Sequence, residues 1–341
     1  MRNTVLWAFG LIMAIVFFFA IIIFGPVNIP LGEVMNVIFG RGSASSHVNT
    51  IVVQTRLPMA IGAACCGATL SAAGLILQTL FHNPLSGPSV LGISSGSSLG
   101  VAFVMLGVGG VAGIISGGWQ TALSITGALI GGGIAIAIIY MFSLVVKSGV
   151  TLLIAGLMLS YLCSSGIALL NYFSPADEIR NYLVWSLGSF NSLRLDSALW
   201  LAILSIAALI PTILYIKPLN ALLMGERYIE SVGYSIKGIR GGILLICGIL
   251  VALPTAFCGP IGFIGLVVPH ICRLLFRTSN HLLMIPATIL FGALTTLICA
   301  FLSVVPASHY GILPINVITP IIGVPVILYL LLKRNTIPYF S

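Results

Sequence analysis

An uninterrupted stretch of 90 residues without a charged side chain, residues 57–146, constrains this chain more than any other feature. A second such stretch covers 55 residues, from 278 to 332. One membrane-spanning helix needs about 20 apolar residues, so the first stretch is long enough to cross a bilayer several times. The chain of 341 residues is only 6% charged, whereas soluble domains carry roughly 25%. These figures exclude a soluble enzyme, a nucleic-acid-binding module and a secreted disulfide scaffold.

Apolar runs, broken by Pro, Gly and charged residues, predict an all-α polytopic membrane protein with about ten transmembrane helices. The whole chain, residues 1–341, is predicted to form a single transmembrane domain. The predicted spans are 5–25, 58–80, 91–108, 119–146, 152–173, 196–216, 239–258, 263–276, 282–304 and 315–332. The span 263–276 is short for a full crossing, and 119–146 is long enough to be tilted.

The distribution of basic residues predicts the orientation. With ten spans both termini lie on the same side. That side carries Arg2, Lys147, Lys217, Arg227, Lys237, Arg240, Arg273, Arg277, Lys333 and Arg334, and the other side carries Arg41, Arg56, Arg180 and Arg194. Because Lys and Arg are enriched in cytoplasmic loops, we expect both termini to be cytoplasmic. The net charge of +8 follows from this bias, and no nucleic-acid partner is predicted.

Small residues recur at four-residue spacing within the predicted spans. Gly92, Gly96 and Gly100 share one helical face, as do Gly127 and Gly131. Such stripes let helix backbones approach closely in a membrane, so tight helix packing is the main prediction. A wall that lines a moving pathway is the alternative.

Two Gly-Pro corners suggest an internal repeat. Residues 87–92 follow the second predicted span, and residues 259–265 follow the seventh. Corners five spans apart are expected on opposite faces of the membrane, which fits two inverted halves.

Several chemical groups are absent from the sequence. None of the predicted spans has an Asp or Glu near its centre, although ion-coupled transporters usually place carboxylates there. No Lys directly follows a Gly, so the chain has no P-loop. The seven cysteines lack the spacing of a metal site, and His270 is expected to hydrogen-bond to backbone. The sequence therefore predicts no catalytic residue, no metal site and no cofactor in this chain, and any energy for transport must come from another polypeptide.

The longest charged segment on the side of the termini, residues 217–235, is predicted to be a rigid protrusion. Pro218 is expected to end the preceding span. Residues 221–224 favour a helix, Gly225 breaks it, and residues 226–232 favour a second short helix that ends at Gly233. This shape suits docking into a cleft on a soluble partner, and an amphipathic loop on the lipid surface fits equally well.

Four sequence blocks, in order, resemble the FecCD/BtuC-type permease family, the membrane subunits of type II ABC importers for iron-siderophores, haem and cobalamin. The first comprises Arg56-Leu57-Pro58, Gly67, Gly74, Gln78, Asn83-Pro84-Leu85 and Leu91-Gly92-Ile93-Ser94-Ser95-Gly96. The second is Asn220-Ala221-Leu222 with Gly225-Glu226 and Gly233, the third is GPIGFIGLVVPHICR at 259–273, and the fourth comprises residues 313–319 and 323–325.

The resemblance implies the fold and the partners. It implies ten helices per subunit, a homodimer or close heterodimer with the pathway on its axis, and a location in the bacterial cytoplasmic membrane. It also implies two cytoplasmic ABC ATPase subunits, which bind ATP and Mg²⁺, and an extracytoplasmic substrate-binding protein. The chain itself would then be a transport subunit without enzymatic activity.

The resemblance also implies roles for individual residues. Coupling to the ATPase would involve Asn220, Ala221, Leu222, Gly225, Glu226 and Gly233. An inner gate would involve Asn83 and Leu85, and a second gate would involve residues 148–150 (Ser148, Gly149 and Val150). Where relatives carry hydroxyl residues in the second gate, this chain has Gly149 and Val150. Ser160, Ser164, Ser165 and Asn171 would line the pathway on the fifth span. Arg56 would dock the binding protein; Met59 replaces a second arginine of the family, for which Arg41, Arg180 and Arg194 could substitute.

Together these observations predict a permease subunit of an ATP-binding cassette importer for an iron chelate or cobalamin. A stand-alone channel or secondary carrier for a small solute is the alternative, followed by a non-catalytic scaffold of a membrane complex.

Overall fold

The computed structural model of the chain describes residues 2–38, 46–107, 118–146, 148–304 and 311–332. The regular structure of these ranges is entirely helical. The α-helices are α1 (Arg2–Ile23), α2 (Leu31–Ile38), α3 (Ser46–Ile51), α4 (Leu57–Leu80), α5 (Ile93–Leu106), α6 (Gly118–Val145), α7 (Gly149–Phe173), α8 (Ala176–Ser186), α9 (Leu195–Leu209), α10 (Ile216–Leu223), α11 (Glu226–Ser231), α12 (Ile236–Cys258), α13 (Ile264–Phe276), α14 (His281–Val304) and α15 (Ile315–Leu332).

The apolar helices match the predicted spans. Among the described residues, seven helices are long and apolar enough to cross a membrane, and three shorter apolar helices of 10–17 residues accompany them. Each predicted span has a helical counterpart whose ends differ by a few residues. The short helices α2, α3 and α8 were not predicted. Four residues used to predict the orientation, Arg41, Lys147, Lys333 and Arg334, lie outside the described residues.

Helix α4 forms the centre of the bundle and packs against α14, α12, α9 and α13. Two glycines on α4 permit this packing. A methyl group at Gly67 would overlap the backbone of Gly292 on α14, and one at Gly74 would overlap the carbonyl group of Gly265 on α13. Hydrophobicity does not drive helix association in lipid, so close backbone contact of this kind supplies the attraction.

The predicted glycine stripes pack α5 against α6. A methyl group at Gly96 would lie 2.7 Å from the carbonyl oxygen of Gly131, and one at Gly127 would lie 2.8 Å from the carbonyl oxygen of Gly100. The prediction of tight helix packing is therefore confirmed at both stripes.

The two Gly-Pro corners are each followed by a short helix. After the first corner a 3₁₀ turn (Pro88–Leu91) ends at Gly92, whose φ is +75°, and α5 then runs for 14 residues. After the second corner Phe263 has a φ of +67°, and α13 runs for 13 residues. At 1.5 Å per residue each helix is roughly 20 Å long, about 10 Å less than the hydrocarbon core. Neither helix is therefore long enough by itself to cross the hydrocarbon core.

Helix α9 ends earlier than predicted. It changes at Leu209 into a 3₁₀ segment (Ile210–Tyr215) that has Pro211 in its first turn. Pro218 was expected to end this span, but it lies in the first turn of α10, where the missing proline N–H leaves no helix hydrogen bond unmade. The prediction for Pro218 is wrong, and Pro211 marks the change.

Candidate functional site

The two Gly-Pro corners meet in one cleft of about 420 Å³. Its lining comprises Ser89, Ser94, Ser95, Ser98, Ser164, Ile167, Tyr182, Pro260, Ile261, Gly262, Phe263, Asn316 and Pro320. The prediction that the corners lie on opposite faces is therefore wrong. The two segments are in direct contact, since a methyl group at Gly265 would lie 2.5 Å from Cγ of Pro88.

Asn316, in the first turn of α15, binds the second Gly-Pro corner through two hydrogen bonds. Its Nδ2 donates to the carbonyl oxygen of Pro260 across 2.6 Å, and its Oδ1 accepts from the backbone N–H of Gly262 across 3.0 Å. One side chain thus satisfies two polar backbone groups of a segment that has no helical hydrogen bonds, as backbone at membrane depth requires.

The cleft carries no formal charge, and its lining combines polar groups with a larger share of apolar ones. Its lining contains hydroxyl and amide side chains, but no Asp, Glu, Lys or Arg. Burial raises the pKa of Tyr182 to about 12, so its phenol stays protonated at neutral pH. The first turn of α5 and Phe263, the residue before α13, also line the cleft, and helix N-termini carry partial positive charge. Such a wall can hold a solute weakly through hydrogen bonds and release it again.

The predicted pathway residues of α7 divide into two groups. Ser164 lines the cleft, whereas Ser160 and Asn171 do not. The Ser160 and Ser165 hydroxyls donate to carbonyl oxygens one turn earlier in α7. Ser89, Ser94, Ser95, Ser98 and Asn316 received no pathway role from the sequence. Their position beside the Gly-Pro corners or at the start of α15 was the available signal.

The segments predicted as gates lie close to each other. We call residues 82–86 the gate turn; within it Asn83 Oδ1 accepts from the Leu85 N–H across 2.9 Å. Ser148 caps α7 by accepting from the Thr151 N–H. A methyl group at Gly149 would lie 3.4 Å from the ring of Phe81, so the structure brings the two predicted gates together.

The segment 217–235 folds as two short helices that meet at a glycine, as predicted. Gly225 has a φ of +103° and separates α10 from α11, which begins at Glu226, and Gly233 follows with a φ of +86°. Met224 beside this break is 72% exposed, whereas Leu222 is only 3% exposed. The break therefore presents an apolar side chain to the surroundings while Leu222 packs into the bundle.

Arg56 lies inside the chain, although docking of a partner was predicted for it. It is 4% exposed, and its guanidinium donates to the carbonyl oxygens of Ile22, Ile23 and Val27 across 2.6–2.9 Å. Ile22 and Ile23 are the last residues of α1, where helix carbonyls lack partners, and Val27 lies in the segment that follows. The arginine side chain therefore connects the end of α1 to the start of α4. Arg180 and Arg194 are exposed.

The sequence model of the FecCD transport family matches residues 12–333 of this chain. The chain belongs to the FecCD transport family. Among curated relatives, the vitamin B12 import system permease protein BtuC of Salmonella paratyphi A is 36% identical over 295 residues, which cover 85% of this chain and 86% of the relative. BtuC of Salmonella newport (strain SL254) matches to the same extent.

Solved structures agree with membership of the FecCD family. One, described as an inward-facing conformation of a metal-chelate type ABC transporter, superposes with a TM-score of 0.81 at 26% identity and covers 97% of this chain and 99% of its own. PsaBC from Streptococcus pneumoniae in complex with Fab has a TM-score of 0.54 at 16% identity, covering 88% of this chain and 99% of its own, and shows the fold alone. This FecCD chain is a BtuC-like, multi-pass permease of a type II ABC importer.

Proposed function

We propose that this chain forms the transmembrane pathway through which an ATP-driven importer moves a metal chelate across the bacterial cytoplasmic membrane. The substrate class comprises iron-siderophores, haem and cobalamin. The observation that carries this proposal is the uncharged cleft where the two Gly-Pro corners meet, whose apolar wall contains a few hydroxyl and amide groups. A weakly binding wall suits a bulky solute that must leave again, and the relatives named for vitamin B12 import and for metal-chelate transport support the same class.

The proposed partners follow from family membership and from exposed residues. A second copy of the chain or a close homologue would complete the pathway. Two cytoplasmic ATPase subunits would bind ATP and Mg²⁺ and receive the segment 217–235, where Met224 and Tyr228 are exposed. A substrate-binding protein would dock on the opposite face. In this scheme the chain supplies the pathway, holds no cofactor and catalyses no reaction.

Transport assays on reconstituted vesicles test this function. Vesicles that contain the chain, its ATPase subunits and its binding protein should accumulate labelled cobalamin or a ferric siderophore only when ATP is supplied. Ser164→Trp, which fills the cleft, should abolish accumulation. Ser164→Ala should preserve it, because this hydroxyl donates to the Ser160 carbonyl oxygen of its own helix. Uphill accumulation by vesicles that hold the chain alone would instead support a stand-alone carrier.

A further inference from the structure

Asn220 of α10 is bonded to the bundle through α14. Its Oδ1 accepts from the backbone N–H of His281 across 2.8 Å and lies 2.9 Å from Nδ1 of the same residue. Its Nδ2 donates to Asn280 Oδ1 across 3.0 Å. The amide of Asn220 therefore binds residues at the start of α14, so it anchors α10 within the chain.

His281 extends this contact to α4. Its Nε2 lies 2.8 Å from the hydroxyl oxygen of Thr79, and the imidazole is 1% exposed. A neutral ring with its proton on Nδ1 donates to Asn220 and accepts from Thr79 when the Thr79 hydroxyl donates to Nε2. The other acceptor for that hydroxyl is the Leu75 carbonyl oxygen, 3.1 Å away in α4. Thr79 lies in the last turn of α4, directly before the gate turn.

The gate turn has two further attachments. His82 Nε2 lies 2.8 Å from the carbonyl oxygen of Leu222, which belongs to α10. On its other side, the Pro84 carbonyl is hydrogen-bonded by His270 of α13. Arg273 Nη1 lies 3.4 Å from Nδ1 of that histidine and donates to Gln78 Oε1 of α4 across 2.6 Å.

The path along the backbone from α10 is less direct. Towards the N-terminus the chain leads from α10 through the 3₁₀ segment at Pro211 into α9. Since this segment lacks the regular α-helical hydrogen bonds, α9 and α10 do not form one continuous rod. Side-chain contacts to α4 and α14 therefore connect α10 to the gate turn over a shorter route than the backbone does.

We propose that Asn220, His281 and Thr79 are positioning residues that make the end of α4 and the gate turn follow the movement of α10. This inference rests on the proposed function, since it assumes that ATPase subunits move α10. Short hydrogen bonds among buried groups transmit displacement because separating them leaves polar groups without partners. When the ATPase subunits displace residues 217–235, these hydrogen bonds therefore displace residues 82–86 as well.

The test follows the gate turn in the complete complex of the chain with its ATPase subunits. Leu85→Cys provides a thiol at an exposed position of the turn, and its alkylation rate by a charged maleimide is measured with and without ATP. In the Asn220→Leu background we expect the ATP-dependent change in rate, measured on the assembled complex, to fall about tenfold. Asn220→Asp keeps the oxygen that faces His281 but loses the donor to Asn280 Oδ1, so it should restore part of the change.

Matched variants distinguish a role in transmitting movement to the gate turn from a role in stability alone. Thr79→Val removes the hydroxyl that contacts His281 and should reduce the ATP-dependent change in alkylation rate. If the Asn220→Leu complex fails to assemble, the result for Thr79→Val tests the link. Thr288→Val, also buried in the bundle, removes a hydroxyl that donates to Ile285 of its own helix and should leave the change intact. A full ATP-dependent change in Asn220→Leu, or in Thr79→Val, would overturn the link alone. Failure of the otherwise unaltered Leu85→Cys chain to associate with an ATPase would overturn the proposed function, and the link with it.

Discussion

The side-chain amide of Asn316 donates to the carbonyl oxygen of Pro260 across 2.6 Å and so joins the start of α15 to the corner that precedes α13. The same amide accepts from the N–H of Gly262. Two backbone groups in a non-helical segment thus depend on one side chain from a distant part of the sequence.

Replacement of this amide should destabilise the corner. Asn316→Leu leaves the Pro260 carbonyl and the Gly262 N–H without their partner, and we expect a loss of about 2–3 kcal/mol in the free energy of unfolding. Thermal unfolding of the purified chain in detergent measures it. The exposed Asn191→Ala should leave the melting temperature unchanged; equal melting temperatures for the two variants would contradict the bridging role of Asn316.

Gly74 should tolerate no larger residue. In Gly74→Ala the added methyl group would overlap the carbonyl of Gly265, so α4 and α13 must separate, at a cost of about 2 kcal/mol or more. The melting temperature and the yield of folded chain report this cost. The control is Gly133→Ala on α6, where no heavy atom lies within 4 Å of the added methyl group; a comparable loss there would show that space does not explain the effect.

Arg56 should affect the stability of the chain. Arg56→Met leaves the carbonyl oxygens of Ile22, Ile23 and Val27 without this donor, and we expect a loss of about 1–3 kcal/mol in the free energy of unfolding.

By contrast, the exposed Arg180→Ala and Arg194→Ala should leave the melting temperature unchanged and slow association with a binding protein, most strongly at low salt. Melting curves and stopped-flow association rates distinguish the two roles. Normal stability of Arg56→Met with impaired docking would favour the original docking prediction.

Met224 should matter for docking of the ATPase. Because its side chain is 72% exposed beside the break at Gly225, Met224→Asp should abolish co-purification of the ATPase while the melting temperature of the chain stays the same. Leu222→Ala should do the reverse, since Leu222 is buried and its truncation costs about 2–5 kcal/mol. Retention of the ATPase by Met224→Asp would contradict docking at this surface.

Much of the architecture could be predicted because apolar length is a local signal. Every predicted span has a helical counterpart, and the break at Gly225 was predicted from residue types alone. Helix α8 was missed because its composition is mixed, with Asp177 and Glu178 in its first turn. Such a helix lies outside the apolar runs by which the spans were recognised.

The site itself depends on contacts that no local pattern specifies. Gly74 was identified as part of a motif, but its partner Gly265 is distant in sequence. Arg56 was interpreted as a docking residue because the family resemblance implies outward arginines; its burial depends on carbonyl oxygens at and just after the end of α1. The meeting of the two corners could not be predicted either, because hydropathy does not reveal how deep a short helix begins.

The limited length of α5 and α13 has a consequence for ion leakage. Because neither helix is long enough to cross the hydrocarbon core, part of the membrane's thickness near the cleft is covered by non-helical backbone and by the cleft itself. A chain that carries a large solute along such a cleft would need other residues to keep the two aqueous compartments apart. Two gates of the kind predicted from the sequence would then have to hold back protons and small ions while the much larger solute passes.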